Sequence, residues 1–80
     1  MFMALYFFDI DDGEEFTRDM FGVECMSRED VSRQATGGLA EVAQEEIPNG
    51  NQRLFRVRVR NEEGQYVFEA SLALRSKWID

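Results

Sequence analysis

From Ser27 to Ile47, apolar or small residues recur at Val31, Ala35, Gly38, Leu39, Val42, Ala43 and Ile47. This is the one-sided stripe of an amphipathic helix. Ser27 stands as N-cap with Asp30 three residues on, close to a capping box, and Glu29 and Asp30 set negative charge against the positive end of the helix dipole. Pro48 disfavours helical backbone at Ile47, and Asn49-Gly50 supplies turn chemistry. Such a stripe must be buried, and the partners on offer are the two flanking segments, both of which read as strand hairpins.

In the first segment, Tyr6, Phe8 and Ile10 alternate with Leu5, Phe7 and Asp9, the period of a strand. Asp11-Asp12-Gly13 is a turn signal. A three-residue loop there sets Phe8 opposite Phe16 on one face, in a short second strand over residues 14–18. Asp19 to Gly22 then turns the chain toward the helix. In the second segment, Phe55, Val57 and Val59 alternate with Leu54, Arg56, Arg58 and Arg60. Asn61-Glu62-Glu63-Gly64 reads as a four-residue turn, and Tyr66, Phe68, Ala70, Leu72 and Leu74 line one face of a long last strand. This loop length sets Val59 opposite Tyr66, Val57 opposite Phe68 and, on the far face, Arg56 opposite Glu69. The chain therefore reads ββαββ, one α+β domain over residues 1–80, with a four-stranded, mainly antiparallel sheet and one helix on one face. The strand order 2-1-3-4 suits it, and other orders remain open.

The residues Tyr6-Phe7-Phe8-Asp9-Ile10-Asp11-Asp12-Gly13, followed by Asp19-x-x-Gly22-Val23-Glu24, carry a likeness to known proteins. The chain resembles a family of small uncharacterised alphaproteobacterial proteins of rhizobial type that open with a YxFDIxDG motif. The resemblance extends over nearly the whole chain and implies no activity, because that family has none assigned. The usual helix there is rich in Ala and Glu. Here Thr36-Gly37-Gly38 interrupts it.

The chain contains no histidine and one cysteine, Cys25. Ser/His and Cys/His catalysis, histidine-ligated metals and an intramolecular disulfide are thereby excluded. The acidic run from Asp9 to Glu15 does not match an EF-hand. Starting at Asp9, the ligand position 5 falls on Gly13 and the bidentate position 12 on Met20. It reads as a solvated turn, so no catalytic, metal or cofactor site is expected. Cys25, lacking an activating base, reads as structural, and Trp78 as a lid on the core edge.

Residues 1–52 hold three Arg against twelve Asp and Glu, a charge of −9, whereas residues 53–80 hold five Arg and one Lys against four acids, a charge of +2. The overall −7 disfavours nucleic acid and anionic membranes. The two halves should instead attract each other. Arg53, Arg56, Arg58 and Arg60 are expected on the sheet face away from the helix, with Asp9 and Glu69 as counter-ions. Leu5, Phe7, Leu54, Val67 and Ala73 are expected on that same uncovered face, where a contiguous apolar patch marks a partner. The sequence thus points to a non-enzymatic interaction or accessory domain. Its interaction surface is Leu5, Phe7, Arg56, Arg58, Arg60, Val67 and Ala73, and it pairs as a homodimer or with another protein through this face or a sheet edge. The alternative is a nucleic-acid-associated protein using the arginine strand. The apolar opening residues 1–8 are too short to span a membrane and lack a basic leader, so the expected compartment is the cytoplasm.

Overall fold

The structure, a computed structural model, describes residues 3–46 and 52–80. Its elements are β1 (Ala4–Asp11), β2 (Phe16–Thr17), β3 (Val23–Cys25), α1 (Arg28–Glu46), β4 (Gln52–Arg60) and β5 (Tyr66–Arg75). The sheet runs β2-β1-β4-β5, antiparallel throughout, with β3 also on the outer edge of β1. This is the α+β fold with one helix packed on one sheet face that the periodicities predict, in the 2-1-3-4 order, with β3 as an additional strand.

Helix α1 begins as its capping residues dictate. Ser27 Oγ accepts from the Asp30 N–H at 3.1 Å, and Asp30 Oδ2 accepts from the Met26 N–H at 3.0 Å. The short aspartate thus reaches one residue further back than a glutamate in a capping box would. Val31, Ala35, Leu39 and Ala43 are buried against Phe55, Val57, Val59 and Cys25, with Tyr6, Phe8, Ile10, Val42, Phe68 and Ala70 packed around them. Ile47 and the Pro48-Asn49-Gly50 turn lie outside the described residues.

The helix is continuous through Thr36-Gly37-Gly38. Thr36 Oγ1 donates to the Ser32 carbonyl at 2.9 Å, and neither glycine has positive φ. Gly38 belongs to the half-buried face, where an added methyl is expected to crowd the sheet. The structure corrects this, because a Cβ at either Gly37 or Gly38 would meet nothing within 4 Å. Gly37→Ala and Gly38→Ala are therefore each expected to stabilise by about 0.8–1.0 kcal/mol, read as a higher urea midpoint at unchanged slope. Loss of stability in Gly38→Ala would show that helix and sheet approach more closely there.

Both hairpins depart from the expected register. In the first, Asp11 pairs with Phe16 and Ile10 with Thr17, so the loop is the four residues Asp12 to Glu15. Side-chain capping sets that length. Asp12 Oδ1 accepts from the Glu14 and Glu15 N–H groups at 2.9 and 2.8 Å, and Asp11 Oδ1 from the Gly13 N–H at 2.9 Å. The extra residue reverses side-chain parity, and Phe16 turns away from the helix, 58% exposed. In the second, the loop is three residues. Gly64 takes the left-handed position (φ 83°), its N–H donates to the Asn61 carbonyl, and Asn61 pairs with Gln65. A bulge follows, in which Arg60 pairs with Tyr66 but Val59 with Phe68. Two one-residue shifts add, so Arg58, not Arg56, faces Glu69, and Val57 faces Ala70. The faces of Phe68 to Leu74 are unchanged, but Tyr66, beyond the bulge, is turned to the opposite face.

Candidate functional site

Asp9 lies on the sheet face that α1 leaves uncovered, yet it is 1% exposed. Its cover is the segment between β2 and β3. These two strands pair with the two ends of β1 and leave the middle of its outer edge unmatched. Asp19 fills the gap with its side chain. Oδ2 accepts from the Phe8 N–H at 3.0 Å, and Oδ1 from the Phe21 and Gly22 N–H groups at 2.9 and 3.1 Å. A carboxylate thus stands where strand backbone would otherwise pair, and it ties the Asp19–Gly22 loop to the sheet.

Four donors converge on Asp9. Arg60 grips it bidentately, Nε to Oδ2 at 2.8 Å and Nη2 to Oδ1 at 2.9 Å. The Asp19 N–H donates to Oδ1 at 3.0 Å, and the Tyr66 hydroxyl to Oδ2 at 2.9 Å. Arg60 Nη2 also donates to the Asp19 carbonyl at 2.9 Å, and the guanidinium lies 4.9 Å from the centre of the Phe7 ring. Burial pushes the Asp9 carboxyl up, but Arg60, the Asp19 N–H and the Tyr66 hydroxyl outweigh it and hold the pKa down to about 2. Burial likewise raises Asp19, and the Phe8, Gly22 and Phe21 N–H groups bring it net below its ordinary value. Hydrogen bonding to Asp9 raises Arg60.

A carboxylate with a lowered folded pKa stabilises the fold above its unfolded pKa and loses that contribution as pH falls through the folded value. For Asp9 the window lies between the ordinary 3.8 and about 2. Acid titration of the wild type should therefore show stability falling across that window, and Asp9→Asn should flatten the fall. An equal slope in both proteins would remove Asp9 from the account.

The other β4 arginines are also engaged. Arg58 Nε lies 2.6 Å from Glu69 Oε1, with its guanidinium 5.8 Å from the Tyr66 ring centre, and Arg56 is 3.7 Å from Asp11. Arg53, expected with them, lies on the helix side by parity. It donates to the Asp12 carbonyl and sits 5.2 Å from the Phe55 ring centre. The expected contiguous apolar patch is divided. Leu5 and Phe7 are half-buried at one end, against the Asp19–Gly22 loop. Exposed Leu54 and Ala73 pair at the other end, and the rows Asp9–Arg58–Glu69 and Asp11–Arg56–Ser71 run between them. Val67, the bulge residue, lines a crevice with Tyr6, Arg28, Val31, Asn61 and Phe68 on the helix side. Of the seven expected surface residues, Arg56, Arg58 and Ala73 keep their place on the open face. Arg60 is 7% exposed and bound to Asp9, and Val67 has changed side.

Cys25 is 1% exposed, and burial together with the Asp30 charge raises its thiol pKa, as befits a structural residue. Trp78 is not a lid. It is 92% exposed, beside Ile79 at 89%. Sequence reasoning missed β3, because three residues show no period, and missed Asp19, whose signal was the Asp-x-x-Gly turn spacing. The sheet edge it offered as an alternative surface is now located. The ten-residue β5 pairs with β4 on one side and with no described strand on the other. Among the described residues no helix is long and apolar enough to cross a membrane.

No curated protein and no solved structure matches the chain. A family model does match, over residues 5–73, which takes in every element from β1 through most of β5. The chain belongs to the family described as domain of unknown function DUF6894.

Proposed function

We propose that this is a non-catalytic interaction domain of the cytoplasm that self-associates by pairing β5 with β5 of a second copy. The observation that carries this reading is the β5 edge, which has no partner among the described strands. Unpaired strand edges template the addition of another strand unless charge, proline or brevity blunts them. The edges opposite β5 are two and three residues long. β5 has ten residues, no proline, and Glu69 and Arg75 as its charges, with Leu72 42% exposed.

The symmetry restricts the register. A two-fold axis normal to a continuous sheet pairs residues of equal parity and so passes midway between the two copies of one residue. Centred on Leu72, the pairing sets Glu69 opposite the partner's Arg75, twice by symmetry. It also sets Ala70 beside the partner's Leu74 on the helix side. No other centre within β5 pairs those two charges. The arginine strand offers less to a polyanion, because Arg53, Arg56, Arg58 and Arg60 each have an acidic neighbour within salt-bridge distance.

Light scattering is expected to show a dimer at micromolar concentration. Leu72→Lys, which would set like charges across the axis, is expected to return the chain to monomer with its circular dichroism unchanged. A wild-type chain that stays monomeric at millimolar concentration overturns the reading. Phe7→Glu would not serve, because Phe7 packs against the Arg60 guanidinium and its loss would confuse stability with association.

A further inference from the structure

Beyond β5 the chain continues as Ser76-Lys77-Trp78-Ile79-Asp80 without regular structure, carrying the chain's one tryptophan and an isoleucine almost fully in solvent. An indole and a branched aliphatic side by side and uncovered are costly to leave in water. At the opposite end of β5, the bulge has turned Val67 to the helix side. There Val67 and Phe68 border a crevice with Tyr6, Val31, Asn61 and Arg28. Within one chain the two features lie at opposite ends of a ten-residue strand.

We propose that in the β5-paired dimer each tail crosses to the other subunit and seats the partner's Trp78 against this crevice. The inference rests on the β5–β5 reading and adds the group that caps each end of the joined sheet. The register centred on Leu72 supplies the geometry. Trp78 lies six residues beyond the axis, about 20 Å at 3.3 Å per residue, and Val67 lies five residues before it, about 16 Å. An extended tail therefore carries the partner's Trp78 to the level of Val67, within about one residue. Parity supplies the side. Leu72 and Leu74 belong to the even-numbered row that faces the helix, where the crevice opens, and in an extended tail Ser76 and Trp78 would continue that row. Chemistry supplies the fit. Tyr6, Val31, Val67 and Phe68 present apolar surface to the indole, and Arg28 at the start of α1 can lie over its face.

Because Trp78 is the chain's one tryptophan, its emission reports the docking directly. Emission spectra are to be recorded through a dilution series, alongside sedimentation velocity on the same samples. As dimer forms, the emission maximum is expected to move to shorter wavelength, in step with the sedimenting dimer fraction. Trp78→Ala, at a position 92% exposed in the single chain, is expected to leave the monomer fold intact and to weaken dimerisation at least tenfold, as removal of a buried aromatic anchor does. A dimer whose tryptophan emission stays that of a solvent-exposed indole, or whose dissociation constant is unchanged by Trp78→Ala, overturns the tail exchange and leaves the β5 pairing standing. A chain that remains monomeric throughout overturns both.

Discussion

Arg60→Leu is expected to cost about 3–5 kcal/mol, the usual result of leaving a buried charge without its partner. Asp9 would keep the Asp19 N–H and the Tyr66 hydroxyl but lose both guanidinium bonds, at 1% exposure. The loss would not stop there. Arg60 also holds the Asp19 carbonyl and covers the Phe7 ring, so the loop that shields Asp9 would loosen with it. For an 80-residue chain, total stability is typically about 4–12 kcal/mol, so this single change is expected to remove a quarter or more of the total. Arg60→Lys should fall between, since an ammonium keeps the charge but not the bidentate fork. Combining Asp9→Leu with Arg60→Leu should recover part of the loss, because apolar replacement of a whole ion pair is often neutral. The recovery would be incomplete, with the Asp19 N–H and Tyr66 hydroxyl left without an acceptor. Urea midpoints of the four proteins settle the order. An Arg60→Leu midpoint equal to wild type would mean that the pair contributes nothing.

Gly22→Ala should be the next most damaging change, at about 2–5 kcal/mol, from two causes that add. The residue has φ +81°, a left-handed backbone that costs an L side chain roughly 1–2 kcal/mol. A Cβ built there would also stand 3.0 Å from Leu5 Cδ1 and Cγ and 3.0 Å from Phe7 Cε1, and such overpacking typically costs about 1–3 kcal/mol. Gly64→Ala is the control. Its φ is +83°, but nothing lies within 4 Å of the added methyl, so it should show the backbone cost without the steric one. Equal destabilisation of the two variants would mean that Leu5 and Phe7 yield freely to the intruding methyl.

Much of this architecture is legible in the chain because its signals are local. A 3.6-residue stripe with Ser27 at its head makes α1. Period-two apolar rows make β1, β4 and β5 and decide which residues of β4 face the helix. The sign of the outer face is legible too, since Asp9, Arg58 and Glu69 share it by parity alone. Register is not, because it depends on events one residue long. The Asp12 carboxylate captures the Glu14 and Glu15 amides and lengthens a loop, and a bulge at Val67 turns Tyr66 across the sheet. Each slip reverses side-chain facing, so Phe16 and Tyr66 exchange core for open face.

The ion pair of Asp9 and Arg60 joins residues 51 apart, and its burial depends on a third segment. The Asp19–Gly22 loop can cover Asp9 only because β2 and β3 leave the centre of β1 unpaired and Asp19 bridges the gap. No local pattern encodes that. The edge of β5 that no described strand covers is likewise a property of strand order, settled when β4 pairs with β1 on one side and β5 on the other. Side-chain period, a preference of each segment by itself, was determined by the sequence alone. Which charges became buried, and which edge stayed open, depended on segments far apart in the chain competing for the same backbone partners, and that was decided only in the tertiary structure.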